Sequence, residues 1–431
     1  MSYNGGTSEK RGVEVLKKKT IAAATLSLAL ITSFGINHMA DAKEKRSASP
    51  NKAKNVIMFV GDGMGASHRE AIRLAAEGMN GELAMSKMPY SGNVHTHSTS
   101  VVTDSAAAGT AMATGVKTFN GAIGVDENKK PVKSVLELAS EAGKSTGLVT
   151  TSQITDATPA SLGAHVADRK KQSDIAKQYL ENSKVDVLLG GGEDYWYPKG
   201  EEGEFQDHPA KDNEEASQGT QGNLVEKAEK LGYDYVTNQE ELEGSKSHRL
   251  LGLFANEEMF EQNPEGEGDL YDPVVPLPDM TKKAIDTLSQ NQKGFFLMVE
   301  EEGTDEMSHE NNGKLMMKAG EQLDKSVQIA QEYAKEHPDT LVLVAADHEC
   351  GGLSIEEVDP QDESGDHTSK EDGPYTAAHS NQKFTLDWTT QEHGGQSVPL
   401  TAQGPGAEKL EGTYENTNIF KAMRDAMGLN K

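Results

Sequence analysis

The sequence predicts a doubly wound α/β fold, a mostly parallel central sheet with helices on both faces. Three observations predict it. Short, continuous apolar runs recur along the chain, which suits strands covered on both sides. Helical periodicity appears between them, and strands alternating with helices are the pattern of a parallel sheet. Several apolar runs also stop at a carboxylate or histidine, at the strand ends where such sheets collect ligands.

With 431 residues, the chain can bury a substantial core. Its N-terminus reads as an export signal, residues 1–42. Lys17, Lys18 and Lys19 precede an apolar run over 21–36, and Ala40-Asp41-Ala42 supplies small residues for cleavage. The exported chain, periplasmic or extracellular, then begins near Lys43. Because the run is short and early, no membrane anchoring is expected. A polar linker over 43–54 leads to one domain expected over 55–431.

Residues 55–60 predict a buried strand, broken by Gly61-Asp62-Gly63-Met64-Gly65. The glycine spacing matches neither the dinucleotide nor the Walker pattern, but it leaves Asp62 at a strand's C-terminal end. A helix is expected over 66–77. Next comes Val102-Thr103-Asp104-Ser105-Ala106-Ala107-Ala108-Gly109-Thr110, whose tiny side chains let a helix begin pressed against neighbouring backbone. Ser105 would stand at the positive helix end, where unpaired N–H groups and the dipole hold an anion. Alone, the stretch reads equally as an N-cap on a packing helix.

Further along, the pattern predicts a helix over 132–142, a strand over 147–151 and a loop over 152–159. Another helical stretch carries His165 and Arg169. A strand over 185–189 stops at Gly190-Gly191-Gly192, and one over 295–299 ends at Glu300. Leu315, Ala319, Leu323, Val327 and Ala330 mark one helix face, and a strand over 341–346 ends at Asp347-His348. Residues 193–223 and 356–375 are acidic, contain Gly and Pro, and lack periodicity, so they are expected as surface insertions.

Charge narrows the partners. There are 69 Asp and Glu against 42 Lys and Arg, a net of −27, which repels nucleic acid and anionic membrane. The same excess suits a protein kept soluble in concentrated salt. Cys350 is the single cysteine, so no internal disulfide forms, and stability must come from the core and from metals.

The chemistry lies in scattered acids and imidazoles. Asp305 and His309 are four apart, so on a helix they face one way and could grip a metal ion, although such a pair also reads as a solvated face. Asp347-His348 closes a buried strand, where charge is costly unless paired or metal-bound. His393, in Glu392-His393-Gly394-Gly395, reads by itself as a loop histidine. Histidine and carboxylate suit zinc, whereas threonine, carboxylate and water suit magnesium.

Together these stretches resemble the bacterial metal-dependent alkaline phosphatases. The likeness rests on 102–110, on Gly61-Asp62-Gly63-Met64-Gly65 and Asp156-Ala157-Thr158-Pro159-Ala160, on Val299-Glu300, and on Asp305 with His309. Ala346-Asp347-His348 and Glu392-His393-Gly394 complete it. The resemblance implies one zinc held by Asp305, His309 and His393, and a second held by Asp62, Asp347 and His348 with the Ser105 oxygen. It implies a magnesium that shares Asp62 and takes Thr158 and Glu300. Arg169 matches the arginine that binds phosphate, Asp156 a position near the magnesium waters, and His165 no assigned role. A homodimer acting on small phosphate monoesters at alkaline pH through a phosphoserine is implied as well.

Two positions depart from the family. Glu306 follows Asp305 where lysine, histidine or tryptophan is common. It reads either as one more surface acid or as a carboxylate that repels phosphate unless turned away or bridged by a cation. Gly394-Gly395 stands where Thr-Gly is frequent. Rival readings are a phosphodiesterase or sulfatase on the same fold, and an acidic exported cation-binding protein. The sulfatase version needs a modifiable Cys or Ser followed by Pro and Arg, which Ser105-Ala106-Ala107 does not supply.

Overall fold

A computed structural model describes Met1 and residues 52–205, 217–260, 271–358 and 370–430. The expected export signal, its cleavage site and most of the linker lie outside the described residues. In chain order the strands are β1 (Asn55–Gly61), β2 (Tyr90–His95), β3 (Ser145–Gln153), β4 (Val187–Gly191), β5 (Asp234–Val236), β6 (Leu250–Leu253), β7 (Phe295–Glu301) and β8 (Thr340–Ala345). There follow β9 (Glu349–Cys350), β10 (Leu353–Glu357), β11 (Lys370–Thr376), β12 (Lys383–Trp388), β13 (His393–Gly394), β14 (Val398–Gln403) and β15 (Gly412–Glu415).

Ten of these strands form one sheet in the order β15-β2-β14-β8-β1-β7-β3-β4-β6-β5. From β8 to β5 every pairing is parallel, as the apolar runs predict. β1, β7 and β8 are buried along their whole length. Only a strand covered on both faces can carry such unbroken Val, Ile, Leu, Phe and Met. Register then aligns their ends: Val60 pairs with Glu300 on one side and Ala345 on the other. Asp62, Glu300 and Asp347 therefore emerge at one edge.

Helices close both faces. The long helix Gly313–Glu336 lies against Ala66–Glu77 and Leu277–Leu288. Close approach needs Gly320, because a Cβ there would stand 2.1 Å from Ile72 Cδ1. Across the sheet, Ser105–Thr114 packs on Ala157–Gly163 and Thr417–Met427. Every residue of Ser105–Thr114 is buried, which its small side chains permit. Gly109 faces Ser161, whose Oγ would be 2.7 Å from an added Cβ. This contact locks the helix of Ser105 to the helix of Thr158.

Several expectations change. His165 and Arg169 are not helical, because the helix Ala157–Gly163 ends at an extended Ala164 and Val166 bridges Ile123. His165 is fixed there by Gly124 O at 2.7 Å and Glu137 Oε1 at 2.9 Å. The loop expected over 152–159 is mostly strand and helix. Pro159 fits the first helical turn, where a missing N–H costs nothing. Within 193–223, Glu193, Asp194 and Trp196 are buried around a short 3-10 turn. Within 356–375, β11 joins β10 and β12 in an antiparallel sheet.

Candidate active site

Ser105 is the first residue of its helix, and Asp104 is the cap. One Asp104 oxygen accepts from Ala107 N at 3.0 Å and the other from Gly121 N at 2.7 Å. This arrangement fixes the helix start and places Ser105 Oγ 3.2 Å from His348 Nε2. His348 reaches that point from the turn after β8, and the same nitrogen lies 3.3 Å from Asp62 Oδ1 and 3.2 Å from Asp347 Oδ2. Asp347 is aimed by its other oxygen, which accepts from Gly63 N and His348 N.

These distances fit a metal site. Four ligands about 2.0 Å from a tetrahedral zinc are about 3.3 Å from one another. Ser105, Asp62, Asp347 and His348 offer three such edges from one nitrogen. A second set repeats the geometry: His309 Nε2 is 3.1 Å from Asp305 Oδ2 and 3.1 Å from His393 Nε2, and His393 Nε2 is 3.5 Å from Asp305 Oδ2. That triangle is three corners of a tetrahedron with the fourth open, as a catalytic site needs. The remaining ring nitrogens are oriented by backbone carbonyls, His309 Nδ1 by Gln391 O and His393 Nδ1 by Thr103 O.

A third, oxygen-only group adjoins them. Thr158 Oγ1 donates to Asp62 Oδ2 at 3.3 Å, and Thr150 Oγ1 donates to Glu300 Oε2 at 2.7 Å. Such a set suits a hard cation that keeps several waters. Asp62 Oδ1, Asp305 Oδ1, Asp347 Oδ2 and His348 Nδ1 are buried without a hydrogen-bond partner. Orphaned carboxylate oxygens of this kind are costly unless a cation meets them, so the residues fit two nitrogen-and-oxygen metal sites and one oxygen site.

Electrostatics points the same way. Burial pushes the Asp62 carboxyl well above the usual range, and Asp347, Asp305 and Glu300 add to it. Burial also pushes Glu300 up to about 8 despite the Thr150 and Thr158 donors. Asp305 goes the other way: burial would raise it, but His348, His309 and His393 hold it well below. His309 rises to about 9 against the effect of burial, because Asp305 accepts from it. Burial lowers His348, while Asp347 and Asp305 oppose the change. Negative charge here exceeds what the protein's own groups balance.

Arg169 stands beside Ser105's helix, half-buried. Its Nη2 donates to both Asp156 oxygens, at 2.8 and 2.9 Å, and its Nη1 lies 3.7 Å from Asp104 Oδ2. Burial would lower the guanidinium, but these carboxylates hold it above its ordinary value. Asp156, expected near the magnesium waters, thus has both oxygens on Arg169. Glu306 is half-buried and is pushed up to about 8 by burial, with Asp305 and Glu258 adding to it.

Sequence reasoning missed three buried neighbours. Cys350 pairs with His393 across β9 and β13, and its sulfur lies within 4.8 Å of ligand atoms of Asp305, His309 and His393. Glu301 accepts from Thr151 Oγ1 at 2.7 Å and from Tyr271 OH. Glu302 is buried just before the helix Gly303–His309. The one sequence signal for them was adjacency to a proposed ligand.

Comparison with known proteins fits this geometry. The profile of the alkaline phosphatase family matches residues 53–372 and 354–429. Alkaline phosphatase 4 of Bacillus subtilis (strain 168) is 34% identical, covering 95% of this chain and 97% of that protein. The alkaline phosphatase of Escherichia coli (strain K12) is also 34% identical, covering 89% and 88%. Among solved structures, the alkaline phosphatase from the Antarctic bacterium TAB5 superposes with a TM-score of 0.72 at 28% identity, covering 88% of this chain and all of that one.

Proposed function

The chain belongs to the alkaline phosphatase family and is a phosphomonoesterase, and on that premise we propose that it hydrolyses small phosphate monoesters broadly, at alkaline pH, through a phosphoserine at Ser105. Asp305, His309 and His393 would hold one zinc, Asp62, Asp347 and His348 another, and Asp62, Thr158 and Glu300 a magnesium. When bound, these ions supply positive charge at the entering and leaving oxygens and lower the pKa of coordinated hydroxyl and water.

The chain's own groups do the rest. Asp104 fixes the helix start, so Ser105 Oγ is presented at one point rather than swept over rotamers. Asp156 holds Nη2 of Arg169 and so positions the guanidinium, whose N–H groups would bind the non-bridging phosphoryl oxygens. Ser105 Oγ attacks phosphorus as its proton passes to solvent, the bond from phosphorus to the alcohol oxygen breaks, and that oxygen takes a proton from solvent to leave as the alcohol. Water then attacks the phosphoserine from the opposite side, releasing inorganic phosphate and restoring the hydroxyl.

The observation that carries the reading is that Ser105 Oγ, Asp62 Oδ1 and Asp347 Oδ2 lie 3.2, 3.3 and 3.2 Å from His348 Nε2, the edge length of a tetrahedral zinc site. Its test is hydrolysis of p-nitrophenyl phosphate near pH 10. Ser105→Ala and chelator treatment should each abolish turnover, and full activity in Ser105→Ala overturns the mechanism. A homodimer, export with cleavage near Ala42, and an acidic surface adapted to salt complete the reading. Light scattering, N-terminal sequencing of the exported protein, and activity across NaCl concentration test them in turn.

A further inference from the structure

The turn after β8 carries a buried side chain to which the mechanism gives no part. Glu349 follows His348, is 6% exposed, and stands between two other segments that carry metal ligands. On one side is Gly65, the cap of the helix Ala66–Glu77 and three residues after Asp62, where an added Cβ would stand 2.4 Å from Glu349 Cγ. On the other is Gly394, next to His393, where an added Cβ would stand 1.9 Å from Glu349 Oε2. Glu349 Oε1 accepts from Leu353 N at 3.1 Å, which fixes the carboxylate between the two glycines.

Glycine at 394 is not required by its own backbone. The residue has strand geometry rather than a left-handed φ, a conformation that any side chain tolerates. What excludes a side chain there is the Glu349 carboxylate. Gln396 Oε1 would also be close, at 2.2 Å, but it ends an exposed, flexible side chain that can swing aside.

The two sides of Glu349 differ in their other supports. The turn before Gly65 is held independently, by Gly63 N donating to Asp347 Oδ1 at 3.2 Å and by Gly63 O accepting from Cys350 N at 3.1 Å. β13, in contrast, is two residues long, half-buried, and pairs with β9 in a sheet of two strands, Gly394 opposite Glu349. His393 is therefore the ligand whose place depends most on the Glu349 side chain.

We propose that Glu349 is a positioning residue for the set Asp305, His309 and His393. Wedged between Gly65 and Gly394, its side chain holds β13 where His393 Nε2 meets His309 and Asp305, and glycine at 394 supplies the space the wedge occupies. The departure from Thr-Gly at 394 then has its cause at 349. This inference rests on the reading of those three ligands as a zinc site. Because the wedge acts by bulk, glutamine serves in place of glutamate, whereas alanine leaves a cavity behind β13.

The test uses holoenzyme loaded with zinc and magnesium, dialysed against a chelator while the zinc retained is counted over time. Wild type and Glu349→Gln should lose zinc at the same rate. Glu349→Ala should lose one of its two zinc ions about tenfold faster and keep the other, since groups behind metal ligands act on that scale. Gly394→Ala should do the same by pressing on Glu349, and its cost should vanish in the Glu349→Ala background, where the added methyl meets no carboxylate. Equal zinc loss by wild type and Glu349→Ala overturns the proposal. So does Glu349→Gln losing zinc as fast as Glu349→Ala, or a Gly394→Ala cost that is the same in both backgrounds. Wild type that holds no zinc before chelation refutes the zinc reading itself, and the melting temperatures of the same proteins then decide the coupling of 349 with 394 by the same comparison.

Discussion

Arg169 offers the sharpest mutational test. Its Nη2 is anchored by both Asp156 oxygens, which positions the guanidinium for substrate. Replacing it by alanine removes two charge-assisted hydrogen bonds to the phosphoryl group, each worth about 1.5–3 kcal/mol. The sum, roughly 3–6 kcal/mol, corresponds to a fall of about two to four powers of ten in kcat/KM. Arg169→Lys keeps the charge but loses the planar fork, and should recover about tenfold of that loss. Asp156→Ala leaves the guanidinium intact but loosely held, at an ordering cost of about 1–2 kcal/mol, or roughly 5- to 30-fold, mostly in KM. Steady-state kinetics on p-nitrophenyl phosphate, with competitive inhibition by inorganic phosphate, separates these outcomes. Arg169→Ala within threefold of wild type refutes the assignment. So does Asp156→Ala proving the more damaging of the two, since Asp156 would then act elsewhere than through Arg169.

Two more predictions follow from the backbone and from a buried pair. Gly63 has a φ of +63°, and a Cβ there would stand 2.2 Å from Asp305 Oδ1. Gly63→Ala should therefore displace that carboxylate, lowering zinc retained after dialysis below two per chain and reducing activity at least tenfold; wild-type zinc content counts against it. His165 is a structural histidine by its contacts; burial lowers its pKa, but Glu137 and the Gly124 carbonyl together raise it above its ordinary value. A raised pKa means the charged pair stabilises fully below the ordinary pKa near 6.5 and fades as pH rises through the folded value. His165→Gln should therefore cost about 1–2 kcal/mol at pH 6 and distinctly less at pH 9 by urea unfolding. A loss that does not change with pH shows that the ion pair contributes nothing.

How much was legible follows from where each signal lives. β1, β7 and β8 were readable because strands buried on both faces must be continuously apolar, and their terminal Asp62, Glu300 and Asp347 were readable as charges that a buried strand does not otherwise tolerate. β2 was not, since only Val94 in it is buried and apolar and its exposed positions Ser91, Asn93 and His95 are polar, and β14 carries Pro399. The β10-β12-β11 sheet is largely polar and stands where an acidic insertion was expected. His393 belongs to a two-residue strand whose pairing with β9 brings it to His309, 84 residues away, and no local pattern announces a contact of that range. Arg169 was misread as helical because its sequence is compatible with a helix, while the bridge from Val166 to Ile123 is a tertiary contact. Glu302 and Cys350 are polar side chains whose burial depends on the assembled fold.

The central claim is that two sets of donors around Ser105 grip zinc. Anomalous diffraction at the zinc edge, on crystals of protein purified with its own metals, tests it most directly. Two zinc peaks about 4 Å apart are predicted, one within bonding distance of Asp305, His309 and His393 and the other of Asp62, Asp347, His348 and Ser105. A single peak, or zinc bound away from Ser105 in active protein, contradicts the account.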